Sequence, residues 1–569
     1  MPQPSPEPSL APPSWPHCGQ DPGPERPFGC PGIHVSGYSA CFAHLPQFDR
    51  EAYLASLAPG ADIDHRGTPF TQPLLDSLLN ALRDPATGHP RLGNARFLLA
   101  TFDGDAEFVS ATFNSDAEFA LVTFEGRAGF RAATFKGHAG FGSVTFEGGG
   151  VFWEATFEGQ AEFGSAIFEA DAGFESATFK GHVGFMLATF KGDVGFESAT
   201  FERASSLGPL VCSKRLKLSG AVFGGPVSLS VAARRLECRR TRWSSTAEVR
   251  LRYATVDFAQ AVFEYPLTIA AEPDPFVLPN GQPVVEEPIV GAPDAAVRIA
   301  SLRGVDAAHL VLADVDLSES LFTGTVHLDQ LRLEGACIFN TVPNSVHWRG
   351  WRPIRFTQRR TLVEEHYWRA RQPAAVPGWQ VAASGAGHVG PLQLAPVYRA
   401  LRKAFEDSKA EPGAADFYYA EMEMRRHADD IPRSERSLLT AYWALSGYGL
   451  RASRALGWLA AAMLVTIVLL MGFGLPSNAP KQEATGTVPP GGGRVTFEIG
   501  KDDPHNPTGN WFTGERFEKA LNVALNSVVF RSADQDLTTA GIYIEMTSRL
   551  TEPVLLGLAV LAVRNRVKR

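Results

Sequence analysis

Cysteine is scarce: 6 in 569 residues, too few for a disulfide scaffold. Lysine is scarcer than arginine, 11 against 42 of the 53 basic residues. That bias, with abundant Ala, Gly and Pro, matches high-GC coding, so single arginines carry little weight. No excess of positive charge is present: the net charge is −8, and bulk attraction to nucleic acid is excluded. Residues 1–16 are rich in Pro and Ser and lack an apolar h-region. They read as a disordered leader, not a secretory signal. Phosphate-binding Gly loops, nucleophile motifs and paired-His metal sites are all missing, so no enzymatic chemistry is expected. Hydrophobic residues nevertheless make up 44%, which excludes a wholly disordered chain. At roughly 150 residues per domain, the length suggests three to four domains.

Methionine (7) and tyrosine (11) are also few, while Phe reaches 38. The excess has a pattern. Phe97, Phe102, Phe108, Phe113, Phe119, Phe124, Phe130, Phe135, Phe141, Phe146, Phe152, Phe157, Phe163, Phe168, Phe174, Phe179, Phe185, Phe190, Phe196 and Phe201 alternate at spacings of five and six without a break. One full repeat spans both spacings and reads roughly Ala-Thr-Phe-x-Gly-x-Ala-x-Phe-x-x. A small apolar residue, such as Ala100, Ala106 or Val122, stands two places before most of them. An 11-residue period also suits a right-handed coiled coil. That reading fails on Gly104, Gly126, Gly137, Gly148, Gly159, Gly181 and Gly192, at about 1 kcal/mol each in a helix. Thr and Phe favour extended chain. Short strands with a corner every five or six positions make a β-solenoid, Phe and the small residue inward. Gly148-Gly149-Gly150 falls at a corner, and His138 and His182 fall at solvent-facing positions.

This register resembles the pentapeptide repeat family, in a Phe-rich variant with one extra residue every second repeat. The resemblance implies a mainly β fold: a right-handed, four-sided β-helix, each coil two residues longer here than in ordinary members. The 105 residues from Phe97 to Phe201 then give about five coils, stacked ~4.8 Å apart. Each coil is stable only through its neighbours. Leu312, Leu317, Phe322, Leu328 and Leu333 keep a 5/5/6/5 spacing. The regular β-helix is expected over 96–206 and an irregular continuation over 207–340, with a loop ejected at 272–294.

Charge is polarised along the repeat. Phe97–Arg203 carries 16 acidic and 6 basic side chains, and Lys214–Arg252 carries 10 basic and 2 acidic. Glu107, Glu118, Glu125, Glu147, Glu158 and Glu169 solvate the outer face. An acidic face of this kind also fits imitation of DNA, since some members of the family bind a topoisomerase that way. The basic block could meet anionic lipid or neutralise its acidic neighbour.

Residues 17–95 read as an N-terminal cap with helices over Asp49–Leu57 and Thr71–Leu82. Cys18, Cys30, Cys41 and His44 are candidate ligands of a structural zinc, with Cys41-x-x-His44 at metal-ligand spacing. His17 and His34 are candidate substitutes, and reduced, partly buried thiols are the plain alternative.

After a helical linker (341–454) comes Ala455–Leu475, 21 residues without a charge, long enough to cross ~30 Å of hydrocarbon. Arg425, Arg426, Arg433, Arg436, Arg451 and Arg454 precede it, which by the positive-inside rule puts the N-terminal side in the cytoplasm. A polar loop (476–515) follows, then 516–569, with a second crossing near 544–563 and the basic tail Arg564, Arg566, Lys568 and Arg569. Segment 396–454 is similar to the linker of membrane-bound bacterial, actinobacterial-type members. Trp348, Trp351 and Trp368 are expected to cap the last coil, and Glu364-Glu365-His366 to form salt bridges. Some relatives end in a two-helix channel module. Here Phe517–Phe530 stands for a pore helix, and Thr538, Thr539 and Gly541 fall in a stretch similar to a potassium filter. Tyr543 replaces the second filter Gly, as in a decayed or repurposed pore.

These readings give a bacterial membrane-anchored scaffold, its solenoid and C-terminus cytoplasmic. The expected partners are the membrane, an unidentified protein and further copies of the chain. A channel-like or mechanosensing protein and a topoisomerase-binding DNA mimic are the two competing functions.

Overall fold

The computed structural model divides into two units, Met1–Val389 and Gly390–Arg569. It describes residues 12–567 except 25, 204, 279, 287–288, 290–293, 344–346, 350–351, 355, 374, 383–386, 477–481, 484–489, 492–499, 502–509 and 532–534. Most of the leader, much of the 476–515 loop, Trp351 and the final Lys568 and Arg569 thus lie outside the described residues, as does the side chain of Trp348.

The first unit is a parallel β-solenoid of about 11 turns. Its strands are mostly dipeptides, such as Thr112–Phe113 and Ala117–Glu118. Each pairs in parallel with its counterpart in the next coil: Thr112 with Thr134, Ala117 with Ala139. All twenty Phe of the register are buried. They stack in four ladders, one per face. Phe108, Phe130 and Phe152 follow one another at 5.0 Å with rings 1° and 5° from parallel. Rings of opposite ladders meet edge-on across the core, as Phe119 and Phe130 do at 5.4 Å, the geometry that aromatic quadrupoles favour.

Two kinds of corner alternate. At one, a non-glycine residue takes a left-handed conformation once per repeat, from Leu99 through Ser110 and Leu121 to Ser198, with φ between 54° and 61°. The Ala100 amide donates to the Phe97 carbonyl at 2.8 Å across the first of these, a type II turn. At the other corner glycine recurs for lack of room. A Cβ on Gly126 would meet the Gly104 carbonyl of the coil below, and one on Gly159 would meet the Gly137 carbonyl.

The stack begins upstream of residue 96. Ile63 pairs with Ala95, and Phe70 pairs with Phe102 and stacks on it at 5.0 Å. Before it lies α1 (Gln47–Ser56), and α2 (Gln72–Ala81) is inserted into this first coil. The insertion lengthens the coil and hides its register from the sequence. Leu75 and Leu78 of α2 are buried.

Beyond Leu207 the coil shortens. Leu207 pairs with Leu229, Leu210 with Val231, and Arg215 with Arg235. The sequence offset between partners thus falls by one at each of two register shifts, between Leu207 and Leu210 and between Cys212 and Arg215. Together they change the long Phe-rich coil into the ordinary pentapeptide one. The expected loop at 272–294 lies between paired residues of successive coils, since Thr255 pairs with Arg298. Its described residues are anchored: Phe276, Val284 and Ile289 pack on Val211 and Ala232, and the buried Arg252 meets Glu286 at 2.7 Å.

The other end is closed by α3 (Val363–Ala370). The buried Glu364 carboxylate accepts from the Phe322 and Thr323 amides at 2.9 and 2.8 Å and from the Thr323 hydroxyl at 2.6 Å. It takes the place that the carbonyls of a further coil would hold. Glu365 pairs with Arg359 and Arg369. His366 departs from the salt-bridge expectation: it contacts the Thr361 hydroxyl at 2.8 Å, and burial brings its imidazole down to about 4, so it is neutral at pH 7. A carboxylate on α3 thus contacts the last coil, and of the three tryptophans expected there Trp368 lies on the same helix.

The second unit is helical. α4 (Pro391–Asp407) and α5 (Glu411–His427) pack together, and the buried Glu421 of α5 binds Arg399 at 2.9 Å and Arg402 at 2.8 Å. Next come α6 (Arg433–Ser446) and α7 (Ala452–Leu469), which ends in a π-helical turn, Leu470–Gly474. Then follow α8 (Gly514–Val528) and α9 (Thr539–Val567). Two segments are long and apolar enough to cross a membrane, Ala452–Gly474 and Thr539–Arg564.

Candidate functional site

Local backbone pairing builds the N-terminal cluster. His17 bridges Ile33 in antiparallel fashion. The Cys18 amide donates to Gly32 at 2.9 Å, and the Cys30 amide donates to Gln20 at 2.8 Å. These bonds bring Cys18 and Cys30 side by side. Cys41 then opens a 3₁₀ turn, Phe42–His44, so that Cys41 and His44 share one side of it. Gly32 has no room for a side chain: a Cβ there would stand 2.6 Å from the Cys41 Cβ.

The four donor atoms of Cys18, Cys30, Cys41 and His44 lie within 4.8 Å of one another. Cys30 Sγ is 3.7 Å from Cys41 Sγ. His44 Nδ1 is 3.2 Å from Cys41 Sγ and 3.5 Å from Cys18 Sγ. The contact with Cys41 brings the Cys30 thiol down to about 6; the same contact, with burial, pushes Cys41 up. The group can bind a metal ion. Spacing pointed to Cys41 and His44 as candidates and residue type to Cys18 and Cys30; neither pointed to Asp21, whose carboxylate lies 3.7 Å from His44 Nε2, on the far side of the ring from the thiols. The substitutes stand elsewhere: His17 packs its ring edge against Phe28, and His34 is not in the cluster.

Phe42, next to Cys41, is fully buried and lies 6.1 Å from Phe70, the head of one Phe ladder. Beside it, Tyr53 Oη lies 3.2 Å from Nε2 of the buried His65. Burial brings His65 down to about 4 and pushes Tyr53 up to about 12. The Cys/His cluster and the first coil therefore share one packed core.

On the outer faces of the solenoid, charges pair along the stack. Arg127 binds Glu107 at 2.7 Å, Lys180 binds Glu158 at 3.2 Å and Lys191 binds Glu169 at 2.8 Å, each one coil apart. The basic block begins by neutralising its acidic neighbour: Arg215 binds Asp193, and Lys217 approaches Glu197 at 3.8 Å. Buried Phe ladders, polar outer positions and a coil of constant length together describe one kind of repeat, and residues 152–200 match the family model for pentapeptide repeats, in nine copies. The chain carries pentapeptide repeats. Comparison with curated proteins and with solved structures finds no match. The pentapeptide solenoid turns its chemistry-bearing residues to cross-coil pairing, which fits a non-catalytic repeat scaffold.

Thr538, Thr539 and Gly541 do not lie in an extended filter loop. Thr539 and Gly541 belong to the first turn of α9, where backbone carbonyls bond within the helix and cannot line a pore. The Thr538 hydroxyl donates to the Phe473 carbonyl at 2.6 Å. Gly541 packs on Gly474, where any Cβ would meet the Gly474 backbone. Arg516 of α8 donates to the Met471 and Leu475 carbonyls, both at 2.8 Å, and so caps the end of the first apolar helix. All these residues fix helix packing.

Proposed function

We propose that this chain is a non-catalytic scaffold on the inner face of a bacterial cytoplasmic membrane. Its helix pair α7/α9 is the anchor, its solenoid is the surface offered to a protein partner, and a structural zinc holds its N-terminal cap. One observation carries the anchor: bulky apolar side chains of both helices, Leu464, Val465 and Phe473 on one and Met546, Leu550 and Val554 on the other, are exposed. Lipid would cover them; a core helix of a globular unit would already have buried them. Arg451 and Arg454 before the first span, and Arg564 and Arg566 after the second, favour both ends inside.

The donor distances support zinc. Zn–S near 2.3 Å and Zn–N near 2.0 Å in a tetrahedron set S–S edges of about 3.8 Å and N–S edges of about 3.5 Å, against 3.7, 3.5 and 3.2 Å in the cluster. Asp21 beyond the imidazole suits the carboxylate–histidine–zinc arrangement. Cross-coil pairing of Glu107, Glu158 and Glu169 removes part of the charge of the acidic face and weighs against the DNA mimic, and the helical start of α9 weighs against selective conduction.

The test is crosslinking and pull-down of the full chain from membranes, with outer-face variants such as Glu118→Lys as controls. A partner lost with the outer-face changes supports the scaffold. Recovery of the chain in the supernatant after an alkaline wash removes the anchor. Ion-selective current in bilayers would replace the scaffold with the channel. Zinc content of the purified protein, expected at one per chain and lost in Cys41→Ser, tests the cap.

A further inference from the structure

Glu552 lies at the middle of the second apolar segment, Thr539–Arg564. Thirteen residues precede it and twelve follow it there, so ~18–20 Å of helix stands on either side at 1.5 Å per residue. Its side chain is fully buried. The Thr466 hydroxyl, from α7, donates to Oε1 at 2.9 Å. Oε2 has no partner among the described residues.

Among the described residues, no cation pairs with this carboxyl. After Arg454, α7 carries no charged residue. On α9 the neighbouring charges, Glu545 and Arg549, lie 3.9 Å apart and face each other. On the α8 side, Ser527 and Ser548 bond each other at 3.0 Å, and Arg516 is engaged with the Met471, Leu475 and Pro476 carbonyls. A carboxylate here would have a single neutral donor in a region without water, which is the least favourable setting for a charge. The uncharged acid keeps the Thr466 bond and loses the penalty. It also gains a donor of its own, and Pro553 inside α9 supplies a reason for an acceptor nearby: lacking an N–H, it leaves the Arg549 carbonyl without its helical partner.

We propose that Glu552 is a proton-binding site between the two membrane helices, held as the carboxylic acid and bonded to Thr466. The proposal rests on the membrane reading of α7 and α9. Its consequence is a proton-dependent latch: loss of the proton places a charge at the middle of the pair and weakens the contact of α9 with α7.

A neutral acid in lipid is the group that an apolar carbodiimide modifies. The acid proton moves to a carbodiimide nitrogen, the carboxyl oxygen adds to the central carbon, and the O-acylisourea rearranges to an N-acylurea. Nothing leaves, so the product gains the mass of one reagent. The full-length protein in phosphatidylcholine vesicles is treated with dicyclohexylcarbodiimide at pH 6, 7 and 8 and mapped by peptide mass. One adduct is expected at Glu552, absent in Glu552→Gln, with a rate constant to within about threefold across the series. An exposed carboxyl with the usual glutamate value would lose ~100-fold of its acid form over those two units. No adduct at Glu552, or a fall of that size, overturns the proposal. If Glu552→Gln fails to fold, the wild-type pH series decides alone. Release of the protein by alkaline carbonate, or modification of Glu552 by a water-soluble carbodiimide at the same rate, overturns the membrane reading and the proton site with it. Retention in the vesicles without an apolar adduct overturns the proton site only.

Discussion

Replacing Phe141 by Ala tests whether the rings hold the coils together. Phe141 is fully buried. It stacks on Phe119 at 5.0 Å and on Phe163 at 4.9 Å. Edge contacts reach Phe130 and Phe152, both at 5.4 Å, and Phe135 at 5.9 Å. Truncation of a buried Phe costs about 3–5 kcal/mol. The rings are closed in above and below by further rings, so little collapse into the gap is available and the upper half of that range applies. In a stack where each coil touches only its neighbours, the loss stays local. The readout is hydrogen exchange of the full chain. The Phe141 amide donates to Glu162 and the Phe119 amide to Gly140, both at 2.7 Å; these amides and their neighbours should exchange ~1,000- to ~5,000-fold faster, the range that about 4–5 kcal/mol corresponds to. Phe141→Leu, which keeps much of the volume, should cost less. Protection within tenfold of wild type at these amides would refute the account of the ladders as the source of stability. Equal loss across both units of the chain would refute the locality.

Further outcomes follow from other positions. Gly159→Ala should cost about 1–3 kcal/mol, because its Cβ meets backbone that cannot swing aside, whereas Gly184→Ala, with nothing within 4 Å, should stay within about 0.5 kcal/mol; denaturant midpoints compare the two. His65 and His366 both titrate near 4 in the folded chain, below an unfolded value near 6.5. The unfolded chain therefore binds protons first as pH falls, and stability drops from about pH 6.5 to pH 4 by up to ~1.4 kcal/mol per unit per histidine. Melts across that window should show the slope, and His65→Phe should reduce it. Adding a zinc chelator to the full chain should leave the central coils protected in hydrogen exchange and expose amides of residues 17–45 and of Phe70; equal protection with and without chelator would deny a metal any structural part there.

The Phe register was legible because it is local and unbroken: each ring is fixed by its neighbours five and six places away. The four metal-ligand candidates were legible by residue type. What escaped reading needed contacts between distant residues. Phe70 heads a ladder, yet α2 stands between it and Phe102, so the regular spacing is absent there. The shortening of the coil beyond Leu207 is carried by two register shifts with no marker in the composition. Glu364 caps the last coil from 41 residues away in sequence, and Thr466 finds Glu552 across 86; neither pairing leaves a periodic trace. The filter-like stretch was misleading for the opposite reason. A short string of Thr and Gly has several uses, and here Gly541 serves close helix packing.

The constancy of coil length in the Phe-rich part has an evolutionary side. Removal or duplication of any two consecutive repeats between Phe97 and Phe201 leaves every remaining side chain on its original face and returns each ladder to register. Both caps would meet the same partners as before. Length in this part of the molecule is thus free to change by whole coils, ~4.8 Å at a time, without compensating substitutions. Unequal crossing-over between near-identical repeats supplies such changes directly, so the height of the stack can change independently of everything at its ends.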